Sequence, residues 1–106
     1  MIIQFNTDHT ITSRDSLTAE VEASVRSSLS HYHGRISRVE VHLSDENGGK
    51  GGGNDIRCVM EARPDGHQPI AVTHKADELV EAVNGAAAKL KAALDHTFGR
   101  LQHHQT

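Results

Sequence analysis

The sequence predicts an α+β domain in the order β-α-β-β-β-α, with a four-stranded sheet carrying both helices on one face. Three observations predict it. Two stretches repeat apolar residues at spacings of three and four, short runs elsewhere alternate apolar with polar residues, and a glycine-rich break and a Pro-Asp-Gly turn separate the later runs. A length of 106 residues with 36% hydrophobic content suits one core and not two. The reading is a single domain over residues 1–101 with a disordered tail at 102–106.

Taken in order, Ile3 and Phe5 alternate with Gln4 and Asn6, a short strand with one buried face. Ser13 or Asp15 can cap the helix that follows, whose stripe is Leu17, Val21, Val25, Leu29 and Tyr32. Gly34 is expected to end that helix in the left-handed conformation. Val39, Val41 and Leu43 then alternate with Arg38, Glu40 and His42, a half-buried strand. From Asp45 to Asn54 the chain holds five glycines and no apolar side chain, which reads as a loop or long hairpin connection. That segment lacks the Gly-Lys-Ser/Thr ending of a phosphate-binding loop.

Ile56, Cys58, Met60 and Ala62 share one side of the next strand. Pro64-Asp65-Gly66 turns the chain back, and Ile70 and Val72 supply the hairpin partner. The last helix is read from Ala76 to Leu101 on the stripe Leu79, Val83, Ala87, Leu90, Leu94, Phe98 and Leu101. Its acids, Asp77, Glu78 and Glu81, come first and its bases, Lys89, Lys91 and Arg100, come later, an order that suits the helix dipole. The three later strands favour an antiparallel meander, and the first helix lets strand one return parallel beside strand two. Arg38, Glu40, His42, Arg57, Glu61 and Arg63 fall by alternation on the open sheet face.

The single cysteine excludes an intrachain disulfide and a multi-cysteine zinc site, and its apolar strand neighbours make Cys58 a packing residue. No run is long and apolar enough to span a bilayer, and the first residues lack the pattern of a secretory signal, so a cytoplasmic protein without membrane contact is expected. The formal charge of −3 opposes nucleic-acid binding, but protonation of the nine histidines would reverse its sign. His31-Tyr32-His33 and His103-His104 do not supply the three or four convergent ligands of a metal centre, and no carboxylate pairing marks a general acid and base. No catalytic residue, metal or cofactor is assigned, and an enzyme is not expected.

The strand order resembles that of the ribosome hibernation-promoting factor family, also called the ribosome-associated inhibitor or sigma-factor modulation family. So do the motif Arg57-Cys58-Val59-Met60-Glu61-Ala62-Arg63, the turn Pro64-Asp65-Gly66-His67, the stretch Val72-Thr73-His74-Lys75-Ala76-Asp77 and the run from Ala82 to Lys91. The resemblance runs from Ile2 to Leu101. It implies a fold similar to double-stranded-RNA-binding domains and a translation inhibitor that sits in the RNA channel of the small ribosomal subunit. There it would block the messenger and transfer RNA sites without a chemical step. The partners implied are the small subunit and its RNA. The length matches the short form, without the C-terminal dimerisation domain of the long form.

Carried over by position, the RNA-binding residues the resemblance implies are Arg26 on the first helix, Lys75 at the start of the last helix, and Lys89 and Lys91 on its flanks. Glu20, Glu22, Ser24, Ser27 and Ser28 stand where the family's first helix often carries more basic residues. The competing expectation is a protein-interaction module of the same fold, a homodimer through the open sheet face, with weak RNA binding or none.

Overall fold

A computed structural model of the chain describes residues 1–7, 15–46 and 56–104. Strand β1 (Ile2–Thr7) leads to helix α1 (Asp15–Ser28), a 3-10 helix (Ser30–Arg35), strands β2 (Ile36–Asp45), β3 (Ile56–Pro64) and β4 (Ile70–Ala76), and helix α2 (Leu79–His104). The sheet order is β1-β2-β3-β4, with β1 parallel to β2 and the other pairs antiparallel. This is the predicted order and topology. The expected glycine-rich connection falls mostly on residues 47–55, outside the described residues, as does Ser13.

Alternation places Val39, Val41 and Leu43 of β2 and Cys58, Met60 and Ala62 of β3 under the helices, all buried. Helix α1 contributes Leu17, Val21 and Val25, and α2 contributes Ala82, Val83, Ala86, Ala87, Leu90, Leu94 and Phe98. Ile3 and Phe5 lie half-buried at the margin. The three alanines let α2 approach its neighbours closely while keeping high helix propensity. No polar or charged residue among those described is buried. Burial therefore pushes the Cys58 thiol up to about 12, which removes the thiolate a nucleophile needs at neutral pH.

Four local expectations are corrected. The first helix ends at Ser28, and Tyr32 reaches the core from the 3-10 helix, a tighter winding that rotates its side chain inward. Gly34 does not adopt a left-handed conformation; among the described glycines only Gly66 does, at φ 77°. Ala76 and the preceding Thr73-His74-Lys75 belong to β4, because Ala76 pairs with Ile56 and extends the hairpin by two pleats. The backbone of α2 continues to His104, past the boundary placed at Leu101.

One turn and one register shift set the sheet's geometry. His67 N–H donates to the Pro64 carbonyl at 3.2 Å with Gly66 as the third residue, where a type II turn requires positive φ. A register shift between Ile36 and Arg38 lets both Ile36 and Val39 face the core, which strict alternation forbids, and sets Arg38 opposite Arg63.

The far end of the helical layer is closed by polar contacts to one phenol. The Tyr32 hydroxyl donates to Asp95 Oδ1, Lys91 Nζ donates to Asp95 Oδ2 at 3.1 Å, and the Tyr32 ring lies 5.0 Å from that of Phe98. The bond from Tyr32, then that from Lys91, holds the Asp95 carboxyl below its ordinary pKa, while the bond to Asp95 and burial hold the Tyr32 phenol above its own. A depressed carboxyl contributes stability above its unfolded value, about 3.9, that is lost as pH falls through the folded value. A raised phenol contributes stability below its unfolded value, about 10, that is lost as pH rises through the folded one. Urea midpoints measured against pH should therefore fall at both ends, and Tyr32→Phe should flatten both declines. A pH profile identical to that of the unmutated chain would show that the bond contributes nothing.

Candidate nucleic-acid interface

The strand register arranges the open sheet face in rows. Ile2, Arg38 and Arg63 form the first, Gln4, Glu40, Glu61 and Ala71 the second, Asn6, His42, Val59 and Thr73 the third, and Ser44, Arg57 and Lys75 the fourth. Basic and acidic rows thus adjoin at one end, and a neutral row separates them from a second basic row at the other.

The two basic rows differ in how they are neutralised. Arg63 bridges Glu40 at 3.8 Å and Glu61 at 3.7 Å, relieving the repulsion between two carboxylates that face each other across β2 and β3. Arg38 donates to Gln4 Oε1. In the second basic row, the fourth of the sheet, Lys75 and Arg57 share Glu46, at 3.3 and 3.8 Å, just beyond the end of β2. Roughly half of each of these three side chains is exposed. Such pairs are worth little in water and exchange readily for another anion.

The four residues carried over as RNA contacts do not form one patch. Arg26 sits on α1, bound to Glu22 Oε1 at 3.1 Å and donating to the Met1 carbonyl at 3.2 Å, so it ties the helix to the start of β1. Lys75 lies on the open sheet face. Lys89 and Lys91 occupy opposite flanks of α2, because two residues turn an α-helix by about 200°. Lys89 Nζ donates to the Thr73 carbonyl of β4 at 2.9 Å, whereas Lys91 points to Asp95.

Sequence reading missed the pairing of Lys75 with Arg57 and the role of Glu46. The signal was present: extending the alternation Ile70, Val72 by two pleats places Lys75 on the face of Arg57. Among the described residues, no group of three His, Cys, Asp or Glu is placed to hold a metal ion. No helix there is long and apolar enough to cross a membrane.

The fold recurs in known proteins. No curated protein sequence matches the chain. Among solved structures it is similar to the Thermus thermophilus Protein Y N-terminal domain, with a TM-score of 0.74 and 18% identity over 92% of this chain and 99% of that one. It is also similar to a ribosomal subunit interface protein from Coxiella burnetii, with a TM-score of 0.67 and 16% identity over 93% and 99%. At these identities the structures establish a shared fold. The model of the family described as Sigma 54 modulation protein / S30EA ribosomal protein matches residues 3–102, nearly the whole described fold, and the chain belongs to that family.

Proposed function

We propose that this protein is a hibernation factor that binds the RNA of the small ribosomal subunit and blocks the messenger and transfer RNA sites by occupying them. The observation that carries this reading is the family match over residues 3–102. A protein of the same fold is described as a ribosomal subunit interface protein, which agrees with it. Inhibition by occupancy needs surface and charge but no chemical step, in keeping with a lone cysteine buried and protonated at neutral pH. The reading places the protein in the cytoplasm, where its partner is. Arg26, Lys75, Lys89 and Lys91 supply positioning contacts to phosphates, which are individually weak and spread over the surface.

Co-sedimentation with purified small subunits, at low and raised salt and with competing transfer RNA, tests this. Binding that falls with salt and is displaced by transfer RNA is the expected result, since phosphate contacts release counterions. Absence of binding at both salt levels would end the reading. Lys89→Glu with Lys91→Glu should weaken association by about tenfold or more through charge reversal beside phosphate. Because Lys89 also braces β4, the unfolding midpoint of the double variant must be measured alongside. Unchanged association would remove α2 from the interface.

A further inference from the structure

Glu46 pairs with both cations of the second basic row, Arg57 and Lys75, and that row borders a hollow. Asn6, Thr7, His42, Leu43, Ser44, Arg57 and Val59 line a depression of about 270 Å³ that opens on the bare sheet face. Its size lies just below the roughly 300–1,000 Å³ of sites for drug-sized ligands. Val59 offers an apolar floor, the exposed His42 ring a stacking surface, and Asn6 and Ser44 donors and acceptors for a base edge. Arg57 forms one wall, and Lys75 stands beside it in the register. Glu46 lies where an anion bridging these two cations would lie.

We propose that this hollow is a seat for one nucleotide of single-stranded RNA, its base over Val59 and His42 and its phosphate between Arg57 and Lys75, with Glu46 as the built-in anion that the phosphate displaces. The proposal rests on the ribosome-binding reading and names a contact surface within it that lies on the sheet and not on the helices. Single-stranded RNA is the occupant the chemistry favours. A two-cation clamp beside a row without lysine, arginine or carboxylate matches the alternation of phosphate and base along a strand, and a base presents a π-face to His42. The other basic row cannot serve the same way, because Arg63 is shared by two carboxylates and Arg38 is held by Gln4.

Displacement gives the proposal an uncommon sign. Removing a negative charge by Glu46→Gln should tighten RNA binding, by about twofold to fivefold, the worth of the exposed ion pairs it frees. Arg57→Gln with Lys75→Gln should weaken binding by about tenfold or more. That pair should also lower the slope of log affinity against log salt by about 0.7, one phosphate at the single-strand value. In the Arg57→Gln, Lys75→Gln background, Glu46→Gln should lose its effect, since its partners are gone.

The test titrates the whole protein with a labelled ten-nucleotide uridylate RNA, with uridine monophosphate and inorganic phosphate as competitors, in parallel with small-subunit co-sedimentation. Tightening by Glu46→Gln, weakening by the double variant, and competition by neither small molecule at matched concentration support the seat. Equal affinity of wild type and double variant overturns it, and continued co-sedimentation would then leave the ribosome reading standing. Failure of wild-type co-sedimentation while the oligonucleotide effects persist would remove the ribosome and support the seat. Binding of uridine monophosphate or phosphate as tight as the oligonucleotide would overturn an RNA strand as occupant.

Discussion

Leu90→Ala is expected to destabilise the domain by about 2–5 kcal/mol, the range for truncating a buried leucine that its surroundings cannot collapse upon. Leu90 has no exposed surface and sits midway along the α2 stripe, between Ala87 and Leu94, which are equally buried. Losing it removes apolar contact from the core, and the neighbouring stripe residues Ala87 and Leu94 carry no side-chain hydrogen-bonding group that could offset the cavity. Against a total of about 5–15 kcal/mol for a single domain, this is a large fraction. Urea unfolding should show a lower midpoint with an unchanged slope. Lys91→Ala is the matched control: its side chain is 48% exposed and its pair with Asp95 is a surface one, so a change of about 1 kcal/mol or less is expected. A Leu90→Ala loss as small as the control's would show that α2 is not packed at this point.

The stripe that supports this prediction was legible in the sequence because buried positions on a long helix repeat every three or four residues whatever the partner. The same holds for Val39, Val41 and Leu43 against Cys58, Met60 and Ala62, where period-two alternation fixes the face. What was not legible had a tertiary cause. Tyr32 continues the α1 stripe in spacing, yet it is carried by a 3-10 helix, and nothing local separates the two windings when both bury the same side chain. His74 and Ala76 lie on the helix-facing side of β4, but an alanine followed by Asp77-Glu78 also reads as a helix start, and only pairing with Cys58 and Ile56 decides between them. That one boundary displaced Lys75 from the sheet to a helix and so hid its row with Arg57.

The four residues carried over by resemblance illustrate a second limit. Charge can be counted along a chain, but whether cations converge depends on register and on which carboxylates reach them. Lys89 and Lys91 look like neighbours in sequence and lie on opposite flanks of α2. Arg57 and Lys75 are 18 positions apart and adjacent in space, joined through Glu46. No periodicity could have singled out Glu46, because its importance comes from reaching Arg57 and Lys75 together in space.

Gly85→Ala should destabilise the domain by about 1–3 kcal/mol, the cost of overpacking a tight contact, although alanine is the better helix former. A β-carbon at Gly85 would lie 2.1 Å from Cδ2, 2.2 Å from Nε2 and 2.6 Å from Cγ of His74. Because Cγ is next to the root of the side chain, a small rotation of the ring cannot clear the clash, and either the whole imidazole leaves its place or α2 lifts from β4. Four residues on, Lys89 fastens the same flank of α2 to the Thr73 carbonyl, which resists that lift. The glycine thus gives up about 1 kcal/mol of helix propensity to admit the ring. The sign should reverse when the ring is absent. In a His74→Ala background, Gly85→Ala should stabilise by up to about 1 kcal/mol, giving a coupling between the two positions well above the few tenths expected of independent sites. Thermal or urea unfolding of the four proteins of this cycle measures it. Stabilisation by Gly85→Ala alone would mean that the imidazole does not occupy the seam between α2 and β4, whereas the predicted reversal would show that a helix-breaking residue is kept there for the shape of its neighbour.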